Sequence, residues 1–366
     1  MSEKIEIDKF DDLINENKYA ALVMRQPLKP VEGDNAVIYP PTFAAESKDK
    51  KSGYNIDTFP NTETGELVNV CLIDSVGSQA NRMEPLFKEK KYSHLIPQIK
   101  VELEYKADNS NGKKDTCKET INLVDVGHRI ADAVVRLSDA TGEIERAFKS
   151  LKQGNAEIIA RLAPTSLVFG CWDSRGTGVK VPRIVRASIR ALNVHPLKRS
   201  AQYIPASDHF SEAISPSSTE KKKLPDAGMG HVPSTGDPGG VILDKDSQIL
   251  REAVLSLSVL RSLKAEDIDR TLKLQRYLLG LSLVSFTAPQ DSFLRMGCEL
   301  TGNPDNPAIW EMVQCDGSRK PLTIIHEDAL MYANSAAESF GVDKGNTFQF
   351  DPKKAKEALK KKDESD

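Results

Sequence analysis

RLAPTSLVFGCWDSRGTGVKVPRIVRASIRALNVHPLKRS, residues 161–200, opens on an apolar run from Thr165 to Trp172, turns at glycines, and then carries Lys180, Arg183, Arg186, Arg190, Lys198 and Arg199 with almost no acid among them. From Val185 to Ala191 the odd positions Val185, Ala187, Ile189 and Ala191 are apolar, while Arg186, Ser188 and Arg190 are polar. That is the period of a strand with one face in a core. Arg183, Arg186 and Arg190 also stand at the i, i+3, i+7 spacing of a helix face. Strict alternation and the β-branched residues favour the strand. Either geometry gathers the guanidinium groups on one side, so the stretch reads as an anion-binding element.

Its charge is local. Residues 151–200 hold nine basic and two acidic residues, whereas the chain as a whole has a formal net charge of -3. The overall balance argues against a free-standing, strongly basic nucleic-acid binder, and the local excess is what a groove or stripe requires. With 366 residues the chain can bury a substantial core. Cys71, Cys117, Cys171, Cys298 and Cys315 are scattered, with no CxxC spacing and no paired histidines nearby. We therefore expect reduced thiols, no zinc and no cofactor. The N-terminus has no apolar signal core and no uninterrupted apolar stretch of membrane-spanning length, so a soluble, cytoplasmic protein without a membrane partner is expected.

Working outward, Ala20 to Met24 reads as a strand entering a two-proline loop, Gln26 to Pro30. Val37 to Phe43, with Pro40-Pro41, reads as an extended or edge segment, and 48–54 as a polar loop. Leu67 to Asp74, LVNVCLID, predicts a buried strand delivering the chain into Ser75-Val76-Gly77-Ser78-Gln79-Ala80-Asn81-Arg82-Met83-Glu84-Pro85. A helix starting there offers free N–H groups and the positive end of its dipole. Ser75, Ser78, Gln79, Asn81 and Arg82 then face a phosphate or base edge, or Ser75 simply caps the helix.

Leu95 to Tyr105 predicts a further strand, 108–115 a polar loop, Ile121 to Leu137 an amphipathic helix and Glu143 to Leu151 another. Thr165 to Trp172 is expected as a strand, which gives an α+β sandwich with helices on one face of a sheet. Gln202 to Gly240 has five prolines, a Lys221-Lys222-Lys223 run and repeated glycines, and reads as a long irregular excursion beside the basic strand. Ile249 to Leu263 and Ile268 to Val284 read as helices, and Phe293 to Leu300 with Ile309 to Cys315 as a strand pair across an Asn/Pro turn. The tail from Asp351 is a short helix or disordered.

Enzymatic motifs are sparse. His326-Glu327-Asp328 lacks a second histidine at i+4, Arg175-Gly176-Thr177-Gly178-Val179-Lys180 lacks the P-loop pattern, and no GxSxG occurs. Asp173, between Trp172 and Arg175, is a candidate metal ligand for phosphodiester cleavage, but a single carboxylate is a poor start for such a site.

Several segments together resemble a known family: Leu28 to Gly33 with Ile38 to Phe43, Asp74 to Glu84, Phe169 to Ser174 with the following basic strand, Gly228 to Val241, and Leu294 to Leu300. They are similar to the CRISPR-associated RAMP proteins that form the repeated backbone of Cascade, the Cas-seven family in its type I-G (formerly I-U) branch. The resemblance runs over about residues 20–315.

It implies an α+β fold with an RRM-like (ferredoxin-like) palm, an inserted thumb and helical finger elements. The first part of the palm occupies 1–200, a possible thumb 201–240, helices and closing strands 241–340, and a polar tail 341–366. It also implies a non-catalytic subunit. The partners are CRISPR RNA, target DNA through the guide, other copies of itself and other Cascade subunits. The alternative is a metal-dependent RNA nuclease of the same superfamily. The sequence shows no RNP-type aromatic row, so phosphate and ribose contacts are expected. The RNA-binding candidates are Ser78, Gln79, Asn81, Arg82, Arg175, Lys180, Arg183, Arg186, Arg190, Lys198 and Arg199.

Overall fold

The basic strand forms as Val185–Leu192, with Val185, Ala187, Ile189 and Ala191 buried and Arg186 and Arg190 exposed. Side-chain alternation, not helical spacing, governs the segment. The structure is a computed structural model that describes residues 9–15, 18–44, 53–108, 114–245 and 247–363. The loop segments expected over 48–52 and 109–113 lie outside the described residues.

Val185–Leu192 belongs to a nine-stranded sheet. Across it the order is Phe293–Arg295, Cys298–Gly302, Tyr19–Pro30, Ile249–Ser256, Val185–Leu192, Leu67–Asp74 and Ile56–Pro60, with Ile309–Gln314 and then Arg319–Pro321 continuing from Tyr19–Pro30. Every pairing in it is antiparallel. The buried face, including Leu22, Met24, Ala187 and Leu255, shares one core with Leu274, Leu278 and Phe286 of the long helix Ile268–Thr287, Tyr332 of His326–Phe340, and Phe148 of Thr141–Lys152. The fold is thus α+β, with helices packed on one face of the sheet.

Several expectations change. The two-proline loop at Gln26 to Pro30 is the second half of the central strand. Proline removes only the donor, and Pro27 still accepts from the Asn303 N–H at 3.0 Å. Ile249 to Leu263, expected as a helix, is a strand, Ile249–Ser256, followed by a helix, Leu257–Ser262, that Ser256 caps. Its leucines fit both periods, and the gap between Tyr19–Pro30 and Val185–Leu192 selects the strand.

Ile121 to Leu137 breaks into short turns and the helix Ala133–Arg136, because Arg129 takes a left-handed φ of 55° and Asp132 starts a new cap. Thr165 to Trp172 is not a strand: Thr165–Val168 is a buried helical turn, and only Cys171–Trp172 is extended. Gly170 makes the corner at φ 76°, where a Cβ would lie 2.8 Å from the Val181 carbonyl oxygen.

Cys298–Gly302 and Ile309–Gln314 do not pair with each other. They succeed one another along the same edge of Tyr19–Pro30, against its end and its beginning respectively. The irregular excursion is flanked by a hairpin, Val194–Tyr203 with Val232–Leu243. The C-terminal segment is no free tail: Thr347–Gln349 pairs with Lys100–Asp108, Phe350 packs on the core, Pro352–Asp363 is helical, and Lys354 Nζ donates to the Ser138 carbonyl at 2.9 Å.

Candidate nucleic-acid interface

The sheet face opposite the helices is open. Antiparallel register places Arg186 across from Val254 and Arg190 across from Leu250, while Arg25 stands across from Glu252 on the next strand. Beyond that edge, Val313 faces Arg319. Paired residues share a face, so Arg25, Arg186, Arg190 and Arg319 converge around a shallow concavity of about 430 Å³ that Val23, Ser188 and Glu252 also line.

The acids are shared among these arginines. Arg25 stands 3.9 Å from Glu252 and 3.5 Å from Glu311, Arg190 stands 4.0 Å from Glu252, and Arg319 stands 2.9 Å from Glu311. Arg186 makes no ion pair among the described residues. Four guanidinium groups against two carboxylates leave the face positive, and solvent-exposed pairs of this kind are weak enough to be exchanged for a phosphate. Arg25 and Arg319 were not legible as members of the site. Only the strand register brings them to Arg186.

A second basic cluster lies on the ribbon Cys171–Trp172 paired with Lys180–Val181. Asp173 organises its turn: 3% exposed, it accepts from the Thr177 N–H at 2.6 Å and the Thr177 hydroxyl at 2.9 Å, and pairs with Arg136 at 3.2 Å. A Cβ on Gly176 would overlap its carboxylate. Oδ2 therefore holds the loop, while Oδ1 faces Arg136 as an ion pair without a hydrogen bond. Arg175, Lys180 and Arg183 are exposed around this turn and form no ion pair among the described residues. Burial, then the charge of Arg129, lowers the pKa of Arg183.

The helix Val76–Met83 follows its strand as expected, capped by Ser75, whose Oγ accepts from the Ser78 N–H at 3.2 Å. Gln79 is directed into the fold, while Asn81 and Arg82 stay exposed and bond to their neighbours. Gln79, 2% exposed, donates to Asp74 Oδ2 at 2.6 Å and accepts from Arg251 Nε at 2.9 Å. Arg82 donates to the same Asp74 oxygen at 3.1 Å and to the Leu294 carbonyl at 2.7 Å. Asn81 accepts from Arg129 at 3.4 Å. Arg251 is buried, its pKa lowered to about 10 by that burial against the pull of Asp74. Gln79, Arg82 and Arg251 line a separate cavity of about 410 Å³ on the helix side of the sheet.

Lys198 and Arg199 are exposed on the hairpin Val194–Tyr203, away from the sheet itself. His326 is held between the Thr287 hydroxyl at 2.9 Å and the Tyr92 hydroxyl at 2.8 Å, and burial lowers its pKa. Its neighbour Asp328 pairs with Lys9 at 2.8 Å. His326 and Asp328 thus tie the start of this helix to neighbouring segments. No helix among the described residues is long and apolar enough to cross a membrane.

The comparisons with known proteins bear on the same region. Residues 22–196 match the model of a family described as CRISPR-associated protein GSU0053, a segment that runs from the central strand through the capped helix and the Trp172 ribbon to the end of the basic strand. No curated protein matches the chain.

Proposed function

From the premise that residues 22–196 belong to a CRISPR-associated protein family, we propose that the protein is the repeated backbone subunit of a Cascade surveillance complex. In this reading it binds CRISPR RNA along its sugar-phosphate backbone and presents the guide for pairing with target DNA. Further copies of itself and other Cascade subunits are its partners, and the setting is cytoplasmic.

One observation carries the reading. The open sheet face bears Arg186 and Arg190 on either side of Ser188, joined by Arg25 and Arg319, while the opposite face is filled by helices. A shallow, positive, open surface suits an extended polyanion better than a small phosphate that needs enclosure.

An RRM-like palm is supported by strand order. Taken in sequence, Tyr19–Pro30, Val185–Leu192, Ile249–Ser256 and the closing Cys298–Gly302 lie in the spatial order fourth, first, third, second. The helices Val76–Met83 and Ile268–Thr287 fall after the first and third of them. The hairpin from Val194 to Leu243 joins the second and third strands, the place of an inserted thumb in this reading. The commitment of Asp173 to Thr177 and Arg136 favours a scaffold over a nuclease.

The test is to purify the protein with its complex partners, digest with ribonuclease and map the protected RNA. Periodic protection along one guide is the expected result. RNA-free protein from a host that supplies the guide would overturn the reading.

A further inference from the structure

Trp172 is 55% exposed, although the turn that follows it is held by several hydrogen bonds. In register it pairs with Lys180, whose Nζ lies 4.3 Å from the centroid of the indole ring. Lys180 therefore covers one face, and the rest of the ring is presented to solvent. The turn beneath it is pinned three ways: Asp173 accepts twice from Thr177, Asp173 N–H donates to Val179 at 3.0 Å, and Arg136 donates to the Arg175 carbonyl at 2.9 Å. Arg175, Lys180 and Arg183 surround it with no carboxylate paired to any of them among the described residues, because Asp173 is buried and already engaged.

We propose that Trp172 is a stacking platform for a nucleobase of a bound single strand, with Arg175, Lys180 and Arg183 holding the phosphates on either side. A half-exposed indole with Lys180 on one face, surrounded by cations that have no carboxylate partner among the described residues, combines the two elements of sequence-tolerant single-strand recognition, a π-face for the base and positive charge for the backbone. A duplex does not fit, since its base faces are already covered by their neighbours. The proposal rests on the nucleic-acid reading above and adds a base contact to the phosphate and ribose contacts expected from sequence. Rigidity matters here, because a platform ordered before binding loses little freedom when the base arrives.

The chain has two tryptophans, and Trp310 packs edge-on against Phe286 at 4.9 Å, so Trp310→Phe keeps a ring in place and leaves Trp172 as the only indole reporter. That variant is titrated with fluorescein-labelled oligouridine and with an abasic ribose-phosphate oligomer of equal length, following tryptophan emission and fluorescein anisotropy together. The expected result is quenching of Trp172 by oligouridine and not by the abasic strand, with Trp172→Ala weakening oligouridine binding about tenfold and Trp172→Phe by less. Binding by anisotropy with Trp172 emission unchanged, and undiminished in Trp172→Ala, would overturn the proposal and leave the RNA reading standing. Loss of self-association in Trp172→Ala with RNA affinity unchanged would make the indole a protein anchor and equally overturn it. No anisotropy change with either strand would remove the RNA reading itself.

Discussion

Arg190 and Glu252 stand 4.0 Å apart on neighbouring strands of the open sheet face, and the same carboxylate lies 3.9 Å from Arg25. One acid thus holds two arginines of the face in check. Glu252→Gln should raise RNA affinity several-fold, while Arg186→Glu with Arg190→Glu should abolish binding at physiological salt. Each arginine that contacts phosphate contributes about one unit to the slope of log K against log salt, so Arg186→Ala should flatten that slope by about one. Binding titrations at several salt concentrations read both effects.

Gln79 is the hinge of a buried network between Asp74 and Arg251. Gln79→Ala removes the link between them, leaving Asp74 with Arg82 and Arg251 with a longer bond to Gln26 at 3.4 Å, and should cost about 1–3 kcal/mol of stability, the range for losing buried hydrogen bonds. Denaturant unfolding measures it. Protein that remains folded should bind RNA with nearly unchanged affinity, which separates a residue that holds the fold from one that touches the ligand.

Glu84 and Arg129 form an almost fully buried pair at 2.7 Å. Arg129 favours the carboxylate, but burial favours the acid and is the larger influence, so the Glu84 pKa is pushed up to about 7 from 4.5, with Arg129 and Thr165 pulling it back. A carboxyl whose folded pKa is raised stabilises fully below its unfolded pKa and loses that contribution as pH rises through the folded one. Thermal unfolding of Glu84→Gln should therefore lack the part of the wild-type decline that falls between pH 4.5 and 7. Arg129→Met, which removes a charge that favours the carboxylate, should extend that decline to higher pH.

Asp173 is predicted to act through its loop. Asp173→Ala frees Thr177 and Arg136 and should lower stability by about 1–3 kcal/mol, with a modest loss of RNA affinity as the Trp172 ribbon loosens. Labelled RNA incubated with Mg²⁺ or Mn²⁺ should stay intact with wild-type and variant alike. Cleavage by wild type that disappears in Asp173→Ala would restore the nuclease reading.

Local signals were legible where one strong pattern acted alone. The basic strand, the strand Leu67–Asp74, its Ser75-capped helix and the long helix from Ile268 all form where periodicity and capping place them. Ambiguity arose where a segment satisfies two periods, as Ile249–Ser256 does, and where a neighbour supplies what the local chain lacks, as Asn303 does for Pro27. In the helix Val76–Met83 the fold adds what no local pattern contains: Gln79 and Arg82 both donate to Asp74.

By itself the sequence determined the α+β class, the location of the positive charge and the outward face of Val185–Leu192, because alternation and composition are properties of the chain. Tertiary structure alone decided which cations share a surface. Arg25 and Arg319 reach Arg186 through antiparallel register across distant segments, and Asp173 is spent on its own turn by a fold that buries it. Register and burial arise from contacts between residues far apart in the chain, and no local pattern encodes them.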